Sequence, residues 1–213
     1  MRTKALLGLA ALAVGLSTSV AQNVYSLNVV GYVNVSLQPN KLYFLSVPLV
    51  PSGGNFNITN SVVLDSTQDF ASLYSWGGTA WNAPATWFSG AWDTPLVISN
   101  GIGFFLASAG TSTLTFVGDV PQGAIAYNIP AGVSTLANKV PVSGPFPGAD
   151  IGHDFDTMYT WNQAGQAWGA AATYFSGAWD TASTNGPVLN PADGAFYVNG
   201  GAAIPFTRNF TVQ

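Results

Sequence analysis

No cysteine and no glutamate occur among the 213 residues, and there is one histidine, His153. Each absence closes a class of chemistry. Without cysteine there is no thiol nucleophile, no disulfide framework and no lipid-acceptor residue, so an exported chain of this kind must be held by its core alone. Without glutamate, paired-carboxylate catalysis would need two of the nine aspartates. One histidine cannot build a multi-histidine zinc site. A serine triad would have to use His153 beside Asp150 or Asp156, and neither a Gly-x-Ser-x-Gly elbow nor a phosphate-cradling glycine loop is present. The chain is therefore expected not to be an enzyme.

Positive charge is nearly as scarce. Beyond residue 21 the only cations are Lys41, Lys139 and Arg208. Three cations cannot neutralise a row of phosphates or hold an anionic membrane surface, which excludes nucleic acid as a partner. With 7% charged residues the exterior must be covered by Ser, Thr, Asn, Gly and Ala. Such a surface repels its own copies weakly.

The first residues read as an address. Residues 1–4 are basic, residues 5–16 are an apolar run, and residues 17–21 are small and end in Ala21. This is the pattern of a secretory signal peptide cut after Ala21. The run is shorter than the about 20 apolar residues a membrane-spanning helix needs. The expected destination is extracellular or the cell surface, with the periplasm as the alternative, and no integral membrane segment is expected in residues 22–213. In that span three cations face nine aspartates, a formal charge of −6.

What the chain does have is repetition. ATWFSGAWDT at 85–94 returns as ATYFSGAWDT at 172–181, with only Trp87 replaced, by Tyr174. Asp69-Phe70 returns as Asp154-Phe155, Tyr74-Ser75-Trp76 as Tyr159-Thr160-Trp161, Trp81 as Trp168, and Gly103-Phe104-Phe105-Leu106 as Gly194-Ala195-Phe196-Tyr197. The expected organisation is a signal peptide (1–21), an N-terminal strand extension without a second copy (22–34), a first β domain (35–120), a joint (121–123) and a second β domain (124–213). No stretch after residue 21 has a helical period beyond a single turn near 60–64 or 71–73. Short alternating runs rich in β-branched and aromatic residues, bounded by Gly, Pro, Asn and Ser, predict an all-β chain of two tandem sandwich- or barrel-like domains.

All seven tryptophans lie in the two repeated windows. One reading makes them core. The other makes a duplicated face on which sugar rings stack, built from Trp87, Trp92, Asp93, Tyr174, Trp179 and Asp180, with each aspartate orienting hydroxyls. Duplicated weak sites of this kind would bind an extracellular polysaccharide with avidity. No cofactor is expected apart from calcium, for which the ligands would be Asp150, Asp154 and Asp156. A small outer-membrane barrel is a third reading, opposed by internal prolines and the close repeat. A hydrolase using His153 is a fourth. The leading expectation is a structural or interaction protein of the cell exterior whose partner is a further copy of itself.

Val24 to Asn34 (VYSLNVVGYVN), Leu45-Ser46-Val47-Pro48-Leu49, Tyr74-Ser75-Trp76, Asn100 to Leu106 (NGIGFFL) and Thr115 to Gly123 (TFVGDVPQG) resemble an uncharacterised family of secreted β-rich proteins typical of Verrucomicrobia and related bacteria. The resemblance spans nearly the whole chain after the leader and implies export and a β-rich fold. It carries no activity and no catalytic residue. The chain departs from the family's Pro-Gly-Glu-Gly before the double aromatic, with Asn100-Gly101-Ile102-Gly103 in one copy and Pro191-Ala192-Asp193-Gly194 in the other.

Overall fold

Alternation decides the local structure. In the stretch 112–119 the buried residues Leu114 and Phe116 alternate with exposed Thr113, Thr115 and Val117, the two-residue period of a half-buried strand. A computed structural model describes residues 29–212. The expected signal peptide, and the start of the expected extension, lie outside the described residues.

The first half contributes β1 (Val30–Leu37), β2 (Lys41–Ser46), β3 (Ser72–Ser75), β4 (Ala85–Phe88), β5 (Ala91–Trp92), β6 (Gly103–Ser108) and β7 (Ser112–Asp119). The second contributes β8 (Gly123–Ile129), β9 (Gly132–Ala137), β10 (Gly144–Pro145), β11 (Thr157–Asn162), β12 (Ala167–Trp168), β13 (Ala172–Phe175), β14 (Ala178–Trp179), β15 (Val188–Leu189), β16 (Gly194–Asn199) and β17 (Ile204–Phe210). Among the described residues, helix is confined to single turns at Ile58–Ser61, Ser52–Gly54 and Ser66–Gln68. Asn57 and Asp65 cap the last two of these turns in chain order by accepting the N–H two residues on. The chain is all-β.

The main sheet of the first half runs β2-β6-β3-β4-β5, and that of the second runs β9-β16-β11-β13-β14. Read along the chain, the two orders correspond strand for strand. Two-stranded ribbons, β1-β7 and β8-β17, accompany them. No sheet among the described residues closes into a barrel. The boundaries expected near residue 34 and at 121–123 differ from the strands. β1 runs through 34/35 because Val33 and Leu37 face the core together and the whole strand pairs with β7. β8 begins at Gly123, inside the expected joint, and pairs with β17 in the same antiparallel way. Residues 30–34 are thus the start of a strand matched by β8, not an unmatched extension.

Two apolar cores form. One gathers Leu37, Val47, Leu73, Phe104, Leu106 and Phe116 among others, and the second Ile129, Phe146, Met158, Leu189 and Tyr197. Strands β6 and β16 are buried almost throughout. One face of each meets its own core, and the other meets the opposite half, which is why their sequences lose alternation.

The halves meet reciprocally. The Ser46 N–H donates to the Ala192 carbonyl (2.8 Å), and the Ala137 N–H donates to the Gly101 carbonyl (3.0 Å). Trp76 Nε1 donates to the Val133 carbonyl (3.1 Å), and Trp161 Nε1 to the Leu42 carbonyl (2.9 Å). At the centre lie Gly103 and Gly194. A Cβ on Gly194 would sit 3.0 Å from the Leu45 carbonyl oxygen and 3.3 Å from Gly103 Cα. Glycine is required there by the closeness of two backbones.

Candidate functional site

The repeated ten-residue segment forms a hairpin in each half. Ser89-Gly90 and Ser176-Gly177 all have positive φ, the geometry of a type I′ turn, which matches the twist of the strands it joins. Trp87 pairs with Trp92 and Tyr174 with Trp179 across the hairpins, with edge-to-face rings 5.4 and 5.5 Å apart. These four rings are buried. Trp87 Nε1 donates to the Asp65 carbonyl, Trp92 Nε1 to Val62 and Trp179 Nε1 to Gly148. The sugar-stacking face expected on Trp87, Trp92, Tyr174 and Trp179 is therefore not formed. Burial hides the ring faces, and the hydrogen bonds fix the indoles inward.

Their aspartates have a different task. Asp93 Oδ1 accepts from the Thr86 N–H (2.8 Å) and Asp180 Oδ1 from the Thr173 N–H (2.6 Å). Each closes its hairpin by replacing a missing ladder bond. The Thr86 N–H holds the Asp93 carboxyl below its usual range.

The expected calcium ligands are not brought together as a metal centre. No group of three or more metal-ligating side chains occurs among the described residues. Asp154 Oδ1 accepts from the Ser176 N–H (2.8 Å), as Asp69 Oδ1 does from the Ser89 N–H (3.0 Å). Asp150 is exposed. Asp156 is fully buried and accepts from the His153 N–H, the Tyr197 hydroxyl and the Gly200 N–H at 2.8–2.9 Å. Burial, and then the Asp156 carboxylate, push the Tyr197 phenol far above its usual range, so it stays a donor. His153 Nδ1 lies 3.0 Å from Asn199 Oδ1, which ties the ring to the β16–β17 turn. In the first half, Gln68 does the equivalent work, bonding Ser108, Ala109, Gly110 and Ser112 around the β6–β7 turn. The polar cluster is a staple for a turn.

Two surfaces that sequence reasoning did not single out remain. The first is a pair of exposed phenylalanines in each half. Phe70 and Phe88 stand 5.1 Å apart and are 70% and 54% exposed; Phe155 and Phe175 stand 5.3 Å apart and are 73% and 56% exposed. Phe70 and Phe155 have φ of 73° and 72°, a conformation that is an outlier for a bulky side chain. The period of two contained the signal: if Trp87 and Tyr174 point inward, Phe88 and Phe175 must point outward.

The second is an aromatic cleft along the junction. One part, of about 410 Å³, is lined by Leu42, Tyr74, Trp81, Phe105 and Ala107. Its neighbour, of about 340 Å³, is lined by Trp81, Tyr159, Trp168, Gly169 and Phe196. Trp81 belongs to both. Phe105 packs on Trp81 of its own half and on Trp161 and Trp168 of the other; Phe196 packs on Trp168 of its own half and on Trp76 and Trp81 of the other.

No known family model, curated protein or solved structure matches this chain.

Proposed function

We propose that this chain is an exported, non-enzymatic structural protein of the cell surface or extracellular matrix, which associates with further copies of itself through its phenylalanine pairs. The observation that carries the reading is the retention of both pairs, in sequence and in geometry, at exposed positions that core packing does not require. Positive φ at a non-glycine residue costs about 1–2 kcal/mol, and strain of this kind persists where another role demands it. Two pairs per chain make each molecule at least bivalent, so contacts between copies propagate instead of closing on one partner. The sparse charge opposes this little. The two-stranded ribbons add open strand edges, and Tyr32 and Val117 of β1-β7 are cross-strand neighbours that both lie exposed. The leader-like residues 1–21 supply the route out of the cell.

Glycine substitution tests this sharply, because it removes the ring and relieves the backbone together. For residues 22–213 of the double variant Phe70→Gly/Phe155→Gly, thermal stability is expected to hold or rise. The light-scattering mass of the parent is expected to grow with concentration, and that of the variant to stay at the monomer value. A parent that remains monomeric throughout the concentration series, or a variant that grows equally, would overturn the reading.

A further inference from the structure

The tryptophans divide by what their indole N–H groups do. Five donate to backbone carbonyls: Trp76 to Val133, Trp87 to Asp65, Trp92 to Val62, Trp161 to Leu42 and Trp179 to Gly148. Trp81 and Trp168 form no hydrogen bond among the described residues. These two occupy matching places in the halves, each paired across a turn with a tryptophan whose donor is engaged, Trp76 or Trp161. Both line the junction cleft. Trp168 is 40% exposed, and Trp81 is half-buried. The tyrosines beside them, Tyr74 and Tyr159, are also half-buried, and their hydroxyls likewise have no partner among the described residues.

We infer that this cleft is a binding site for a neutral polysaccharide chain. Three properties select that ligand. The walls are aromatic rings, four of them carrying a polar indole or phenol group (Tyr74, Trp81, Tyr159 and Trp168), which suits sugar rings that present C–H groups on one face and hydroxyls around the rim. No carboxylate, amine or guanidinium lines either part of the cleft, so nothing there would offset the desolvation of a charged ligand. The cleft is open and repeats one Tyr-Trp-Phe set on each side of the junction, Tyr74-Trp81-Phe105 and Tyr159-Trp168-Phe196, which suits a ligand that is itself a repeat. The rings are held edge-on by Phe44, Trp76 and Trp161. The platform is preorganised, and little ordering is needed on binding. The free indole and phenol groups then become donors to sugar hydroxyls.

The site is separate from the phenylalanine pairs, so the two readings fail independently. The test is affinity electrophoresis of residues 22–213 in native gels containing hydroxyethyl cellulose, galactomannan or dextran, with alginate as the charged control. Retardation is expected in at least one neutral gel and not in alginate. Trp81→Ala/Trp168→Ala is expected to weaken retardation at least about tenfold, as loss of central aromatic contacts does. Trp81→Phe/Trp168→Phe keeps one aromatic ring at each place while removing the donor and part of the stacking area, and an intermediate loss is expected. Phe70→Gly/Phe155→Gly is expected to bind like the parent. Circular dichroism melting confirms that each variant is folded. Retardation in none of the neutral gels overturns the inference, as does equal retardation of the parent and the folded Trp81→Ala/Trp168→Ala variant.

Discussion

Trp179→Ala is expected to destabilise the protein by about 3–5 kcal/mol, the range for emptying a buried aromatic site. Trp179 is 2% exposed. Its ring stands edge-on to Tyr174 at 5.5 Å and to Tyr197 at 5.9 Å. Its Nε1 satisfies the Gly148 carbonyl at 3.1 Å. Truncation removes both ring contacts and the indole bond, leaving the Gly148 carbonyl only the longer bond from the Ile151 N–H (3.3 Å). The cavity cannot collapse easily, because Tyr197 is itself anchored to Asp156. Urea unfolding of residues 22–213 reads the loss directly, as a fall in midpoint at unchanged slope. A tryptophan serving as a surface platform would behave otherwise, since surface changes usually stay within about 0.5 kcal/mol.

Asp156→Ala is expected to lower stability by about 2–4 kcal/mol. The carboxylate gathers three donors inside the protein, and each donor left behind carries a desolvation penalty of about 1–3 kcal/mol when buried. The Tyr197 hydroxyl is buried, whereas the His153 and Gly200 N–H groups are partly so, which keeps the total below the simple sum. Asp156→Asn retains an accepting oxygen and is expected to recover a substantial part of the loss. Addition of EDTA to the parent is expected to leave its melting temperature unchanged, because the Asp156 oxygens are already occupied by protein donors. A fall on chelation would restore the calcium reading.

Strand content and the hairpins were legible because they depend on local patterns. The alternation in residues 112–117 and the Ser-Gly turns at 89–90 and 176–177 state themselves within a few residues. The strand β1 was harder to delimit. Its match with β8 is carried by topology, since β1 pairs antiparallel with β7 as β8 does with β17, and hardly at all by identity. The site was less legible still. Trp87 and Phe88 are adjacent and both apolar, so composition cannot say which faces inward; only the completed sheet, with Ala85 and Trp87 on the core side, settles it. The aspartates beside the tryptophans resembled sugar ligands because a carboxylate's backbone partners lie seven residues away in sequence, across a turn. The junction cleft had no local signature. It depends on contacts such as that between Trp161 and Leu42, 119 positions apart, and on two glycines whose closeness exists only after both halves have folded.

The account rests on a division of labour among the repeated aromatics: most hold the fold from within, and Trp81 and Trp168 face outward with their donors free. Hydrogen exchange of the seven indole N–H groups, followed by nitrogen-15 NMR on residues 22–213, tests this division most directly. Hydrogen-bonded indoles exchange only when the surrounding structure opens. The account predicts that Trp76, Trp87, Trp92, Trp161 and Trp179 are protected while Trp81 and Trp168 exchange fastest. Fast exchange at Trp87, Trp92 or Trp179, or protection at Trp81 and Trp168 equal to the rest, would contradict it.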